Sequence, residues 1–474
     1  MILRKRGIRV CIMAALVVII VCIVSKIFNK NTLKDESVDF KLSKKRSIQK
    51  DLTSFAKEND TEIAVNKDLP KRHERPKMEL SGSVDFLRRN EDTYKRSCKK
   101  HEVVVFIKTH KTGSSTITNI LNRFADMNDV KVALPMGYFL RFYWPALFHW
   151  SAVDLWRLDG DTPSILSNHA RYNRPTMQLI MRKGAKYITI LRDPVDQYES
   201  TFNYMGFEKF LDLKDSKNPL ADFLKNPVPK LYQLRDKHHG IPEPMQLVKN
   251  PMFFDLGMYP PAYNNMTRVR NEIKKLDRDF ELVLIMEYFD ESLLVLKKAF
   301  CWTMSDILYV KFNQRRHKSA YHRDEQVKKN IRYWNKADVI LYEHFNRTLW
   351  KKIADYGPSF RKDLDKFRQM NSKMQASCVE KRQFTENAFN SSGDILSFRL
   401  NPEVRSYDRY FCMKMLRNEV DYIDYFRNKY KPRGSYQTLL EKEGKKRPST
   451  RELIERLQIA ANIKFAEPPR AVTS

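Results

Sequence analysis

VVVFIKTHKTGSSTITNILNRFAD, residues Val103 to Asp126, joins a continuous apolar run to a polar loop and then to a helical pattern. Val103, Val104, Val105, Phe106 and Ile107 are apolar without alternation and mostly β-branched, as in a strand covered on both faces. Ile117, Ile120, Leu121 and Phe124 recur at the spacing of one helix face. A loop that leaves a buried strand and opens a helix aims free backbone N–H groups and the positive end of the helix dipole at one point, where an anion is stabilised. Within it, Gly113 permits close backbone approach and Lys111 adds a point charge. Ser114, Ser115 and Thr116 add hydroxyl donors, and Thr112 completes the candidate binding set. This is not a Walker A loop, because here the Lys precedes the Gly rather than following it.

The strand-then-helix unit recurs along the chain. Ser164 to Ser167 reads as a short strand, and Pro175 opens a helix that Gly184 closes. Tyr187 to Leu191 is a second buried strand; Asp193 caps and Pro194 begins the next helix, with Val195, Tyr198 and Phe202 on one face. Leu282 to Met286 is a further strand, followed by a helix capped by Asp290 and running to about Phe300. A final long helix uses Leu341, Phe345, Leu349 and Ile353 and stops near Gly357-Pro358. Strands alternating with helices predict an α/β fold, a central parallel sheet flanked by helices. The aromatic run Tyr138 to Trp150 suits an acceptor groove, a core segment or a membrane-facing surface, and the sequence alone does not choose.

The chain has 474 residues, a net charge of +30 and a pI near 9.7, a surplus that favours anionic partners without choosing among them. Residues 1–9 are basic, Val10 to Val24 is unbroken by charge or strong polarity, and residues 10–28 together are long enough for a signal-anchor transmembrane helix. The apolar run is not followed by a good cleavage site, and the basic residues before it predict a cytosolic N-terminus with the rest luminal. Residues 29–97 read as a polar stem, 98–430 as the catalytic domain, and 431–474 as a basic tail. Cys98, Cys301, Cys378 and Cys412 fit two disulfides with three alternative pairings, or four buried thiols. Sequons at Asn59, Asn265, Asn346 and Asn390 fit a luminal chain. No zinc-type spacing is present, and no metal is expected.

The Lys-Thr-Gly-Ser-Ser-Thr order resembles the 5′-phosphosulfate loop of sulfotransferases that use PAPS (3′-phosphoadenosine 5′-phosphosulfate). Those enzymes grip the 3′-phosphate with an Arg at a strand end and a Ser in the following helix. Arg192 and Ser200 in ITILRDPVDQYES stand in that setting; the competing role for Arg192 is an ion pair with Asp193 or Asp196. Further blocks extend the likeness: VALPMG at Val132, SNHARYN at Ser167, NPMFFDLG at Asn250, LVLIMEYFDESLLVLKK at Leu282 and LYEHFNRTLW at Leu341. Together they are similar to the galactose-3-O-sulfotransferase family, which includes the galactosylceramide sulfotransferase.

That resemblance implies a P-loop-like sulfotransferase fold behind a single N-terminal transmembrane helix, in a Golgi membrane protein of type II. It implies PAPS as donor and the 3-hydroxyl of a galactose on a glycolipid or glycoprotein as acceptor. By position, His110 resembles the family's catalytic base, Lys111 the lysine on the 5′-phosphate and bridging oxygen, and His169 a second active-site histidine. Gly113 stands where many members have Ala. The sequence leaves open pairing with a second copy of the chain. Two rival functions remain: a sulfotransferase acting on another glycan such as a glycosaminoglycan, and a non-catalytic luminal binder of acidic glycans. A nucleic-acid role finds no reader motif.

Overall fold

The apolar run after Cys98 forms strand β1, Val104–Ile107, buried along its whole length in the computed structural model of the chain. The structure describes residues 98–136, 139–312, 321–381, 384–387 and 394–430. Strands β2 (Ile165–Leu166), β3 (Lys186–Leu191) and β4 (Phe280–Ile285) join β1 in a parallel sheet of order β2-β1-β3-β4. The register pairs Val104 with Ile165 on one side and Ile107 with Thr189 on the other.

From β1 the chain steps to one side to make β2, then returns to the other side to make β3. Connections diverging from neighbouring strands leave a crevice at the carboxyl ends of an open parallel sheet, its usual ligand position. The Lys108–Gly113 loop leaves β1 at this point, and the segment beginning at Arg192 leaves β3 beside it.

Helix α1 (Ser114–Met127) follows β1, and α2 (Arg174–Gln178) precedes β3. Helix α3 (Pro194–Tyr204) follows β3, with Asp193 accepting a 2.8 Å bond from the Val195 N–H as the sequence predicts. Helices α4 to α6 (Phe207–Phe210, Pro219–Lys225, Pro227–Lys237) lead to α7 (Pro251–Asp255) and α8 (Met266–Asp279). Helices α9 (Phe289–Phe300), α10 (Glu325–Trp334) and the long α11 (Lys336–Tyr356) follow β4. Val195, Tyr198 and Phe202 share one face of α3, as expected, and pack with Phe207, Phe223 and Trp334 in an apolar cluster beside the main core.

Beyond Gly357 the sequence suggests only a mixed basic segment, but the structure continues in order. Helix α12 (Phe360–Cys378), a hairpin of β5 (Phe384–Asn387) and β6 (Asp394–Ser397), α13 (Ser406–Leu416) and α14 (Glu419–Lys429) follow. Disulfide Cys378–Cys412 ties α12 to α13, and Cys98–Cys301 ties the approach to β1 to the end of α9. The C-terminal helices clasp the end of α1. Buried Asp126 pairs with Lys414 and accepts bonds from Tyr425 at 2.8 Å and Lys429 at 3.1 Å. Burial alone would raise the Asp126 carboxyl; these donors outweigh it and hold it below its usual value.

Two expectations are corrected. The helix opened near Pro175 ends at Gln178, not at Gly184, because Asn173 and Thr176 are bonded back to the Phe148 carbonyl and Arg182 N–H to Pro163, so the chain turns early into β3. Asp290 does not cap α9. It lies inside the first turn, where its carboxylate accepts from Tyr309 Oη at 2.6 Å and Arg368 Nε at 3.1 Å. The signal anchor, stem, basic tail, Asn59 and Asn390 lie outside the described residues. Among the described residues no helix is long and apolar enough to cross a membrane. Asn265 is exposed at the start of α8, whereas Asn346 lies within α11 with its Oδ1 buried.

Candidate active site

The loop after β1 is braced by its own hydroxyls. Thr109 Oγ1 donates to the Ile190 carbonyl of β3 and sits 2.8 Å from Thr112 Oγ1. Ser114 Oγ donates to the Thr109 carbonyl at 2.7 Å. Thr112 and Ser114 therefore spend their hydroxyls inside the loop, and what they offer an anion is backbone N–H. Thr116 Oγ1 accepts from Phe312 N–H at 3.2 Å, and Ser115 is partly exposed at the helix start. Lys111 and Gly113 both adopt left-handed backbone, with φ of 59° and 79°. The positive φ of Gly113 favours glycine, and a Cβ there would lie 2.5 Å from Met286 Sδ, so the flexible Met286 side chain would have to give way.

Arg192 reaches back across the loop, its Nη1 donating to the Lys111 carbonyl at 3.2 Å. Its acidic neighbours are engaged elsewhere: Asp193 with Arg332 at 3.0 Å and Asp196 with Arg323 at 2.6 Å. Ser200 is buried two turns into α3. Lys111 Nζ rests 3.9 Å above the ring of Tyr204, the last residue of that helix.

His110 is held on every side but one. Its N–H donates to Asp255 Oδ2 at 2.8 Å, its Nδ1 lies 2.8 Å from the same oxygen, and its carbonyl accepts from Gln197 Nε2 at 2.8 Å. One ring face stacks on His169 at 4.1 Å and 19°, and Trp144 flanks the ring at 4.8 Å. A carboxylate facing Nδ1 puts the neutral ring's proton there and leaves Nε2 as the basic nitrogen. His169 points its own Nδ1 at the Lys108 carbonyl, 3.1 Å away. Burial, with the Lys108, His110 and Arg141 charges nearby, holds His169 well below the usual imidazole value, so it stays neutral.

The structure thus gathers His110, Lys111, His169 and Arg192 around one loop. It also supplies residues that sequence reading missed. Asp255 is fully buried within NPMFFDLG, where an acid inside an apolar run was itself the signal that a partner must exist. Trp144 Nε1 donates to its other oxygen at 3.0 Å. Lys108 is buried against Glu419 at the start of α14, and Asn168 Nδ2 donates to the same carboxylate at 3.2 Å. The short α7 that carries Asp255 is bolted to α11: Asp338 accepts from Met252 N–H at 3.0 Å and Phe253 N–H at 2.9 Å, and Asn335 accepts from Asn250 N–H at 2.8 Å. Burial, opposed by these two N–H groups and reinforced by the charge of Asp255, pushes Asp338 up to about 7. Among the described residues no group of three or more His, Cys, Asp or Glu is placed to hold a metal ion.

An anion cradle with a fixed imidazole beside an ammonium group is the equipment of group transfer from a phosphate-like donor. Comparison with known proteins narrows this. A family model described as galactose-3-O-sulfotransferase matches residues 74–430. Galactosylceramide sulfotransferase of Mus musculus is 33% identical over 339 residues, covering 69% of this chain and 78% of that protein. Galactose-3-O-sulfotransferase 2 of Homo sapiens is 31% identical over 333 residues, covering 68% and 81%. Galactose-3-O-sulfotransferase 3 of Bos taurus is 29% identical over 361 residues, covering 71% and 80%. With most of its length matched, over a span that contains the loop and Asp255, this chain belongs to the galactose-3-O-sulfotransferase family and is a sulfotransferase.

Proposed function

We propose that the chain transfers a sulfuryl group from PAPS to the 3-hydroxyl of a galactose residue, with His110 as general base, in the Golgi lumen. The observation that carries this reading is the His110 ring, locked with Nδ1 on Asp255, one residue from Lys111 at the mouth of the anion cradle. The residues present fit such a donor. The left-handed turn at Gly113 opens helix α1 toward the loop, and Arg192 converges on it from β3. Lys111 and the first-turn N–H groups of α1 would hold the 5′-phosphosulfate, and Arg192 with Ser200 the 3′-phosphate.

A sugar hydroxyl is a weak nucleophile near neutral pH, and a base within hydrogen-bond reach is needed as it attacks. His110 Nε2 takes the hydroxyl proton as the new O–S bond forms. The S–O bond to the departing PAP (3′-phosphoadenosine 5′-phosphate) breaks in line, and Lys111 with the helix N–H groups stabilises the charge on that oxygen. The proton on His110 is later released to water. Luminal residence is supported by the basic-then-apolar N-terminus and by the two disulfides, which persist in oxidising compartments.

The test is transfer of radiolabelled sulfate from PAPS by the full-length protein to galactosylceramide, lactose-type glycans and desulfated glycosaminoglycans. Labelling of the galactose-terminated acceptors is expected. Labelling of glycosaminoglycan alone, or of none, would overturn the reading.

A further inference from the structure

Asp255 has 0% of its surface exposed, and among the described residues its ion-pair partner is His110. An ionised carboxylate buried in this way is costly unless it is paired and fully hydrogen-bonded. Its bonds are the His110 N–H and Nδ1 on one oxygen and the Trp144 indole N–H on the other. We propose that Asp255 is the positioning residue of the reaction: it fixes the Nδ1–H tautomer of His110, aims Nε2 at the acceptor hydroxyl and stabilises the imidazolium formed in transfer. The proposal rests on His110 being the base.

The surroundings hold Asp255 still. Its carbonyl accepts the Tyr172 N–H at 2.9 Å. Two residues on, Gly257 has a φ of 86°, and a Cβ there would lie 2.2 Å from the Tyr172 carbonyl oxygen, so only glycine allows this close approach. Arg171 spends its guanidinium on the carbonyls of Pro145, Phe254 and Met258, locking the segments on both sides of the carboxylate. The His110 carboxylate partner is thus built from three separate stretches of chain around one oxygen pair. During transfer no bond of Asp255 is broken: the proton passes from the hydroxyl to Nε2, and the Nδ1–H···Oδ2 bond becomes charge-assisted.

The groups that face this pair are His169 beside the ring, Arg141 over Trp144, Lys108 in the loop, Arg171 and Tyr263 near Asp255, and Asp338 on α11. None of them replaces the carboxylate against Nδ1.

The experiment compares Asp255→Asn and His110→Ala with wild type in the full-length protein. Asp255→Asn should lower kcat by about 10²–10⁴ while the KM for donor and acceptor changes little. The acidic limb of its residual kcat/KM should move to lower pH, because the imidazolium has lost its counter-charge. A kcat within about threefold of wild type and an unmoved limb, with His110→Ala inactive, would overturn the role of Asp255 alone. Near wild-type turnover in His110→Ala would instead remove the base on which the role depends. Should the Asn variant not fold, 15N NMR of the histidine-labelled wild type decides: Nδ1–H at His110 is expected, and an Nε2–H tautomer would refute the proposal.

Discussion

His110 and His169 stack with ring centroids 4.1 Å apart and planes 19° from parallel. Two imidazolium ions cannot share that spacing cheaply, and burial keeps His169 neutral. The acidic limb of log kcat/KM should therefore have a slope of one. A slope of two would mean that both rings titrate in the working range. On the same grounds His110→Ala should lower turnover by about 10²–10⁴ with PAP affinity retained, measured by calorimetry beside the rate assay.

In the proposed reaction Lys111 serves charge rather than proton transfer. Lys111→Ala should reduce turnover and weaken PAP binding together, since the ammonium acts on the 5′-phosphate in the ground state and on the departing oxygen in the transition state. Unchanged PAP affinity would show that the side chain, poised 3.9 Å over Tyr204, belongs to the acceptor side instead.

Asp338, pushed up to about 7 by burial, makes folding pH-dependent. Between its unfolded value, about 4, and 7, the folded chain binds a proton that the unfolded chain does not, so this carboxyl's contribution favours folding more as pH falls. The Tm difference between wild type and Asp338→Asn should widen in favour of wild type from pH 8 to pH 5. A constant difference over that range would show that Asp338 is ionised throughout.

The Asp126–Lys414 pair is almost wholly inaccessible to solvent. Lys414→Met should destabilise the protein by about 3–5 kcal/mol by stranding a buried carboxylate, with Asp126→Leu in the same chain recovering much of the loss. Denaturant unfolding of the two single variants and the double variant measures this. Little loss in Lys414→Met would show that Tyr425 and Lys429 suffice for Asp126.

Local pattern made part of this architecture legible. The runs at Val103, Tyr187 and Leu282 stand out because strands buried on both faces have no polar alternation, and Asp193-Pro194 announces a helix start by chemistry confined to adjacent residues. The early end of α2 and the tertiary partners of Asp290 were not legible, because side chains remote in sequence set both. Lys108 meets Glu419 across 311 positions, and the choice among three disulfide pairings depends on how α12 and α13 return to α1. Asp255 was within a recognised block, yet its role depends on Trp144 and His110 arriving from two other segments.

The Cys98–Cys301 bond has a mechanical consequence. It anchors the chain where it enters β1, at the amino end of a central strand whose carboxyl end carries the Lys108–Gly113 loop. Tension applied to the chain ahead of Cys98 would be borne by a covalent staple behind the sheet, away from the Lys108–Gly113 loop.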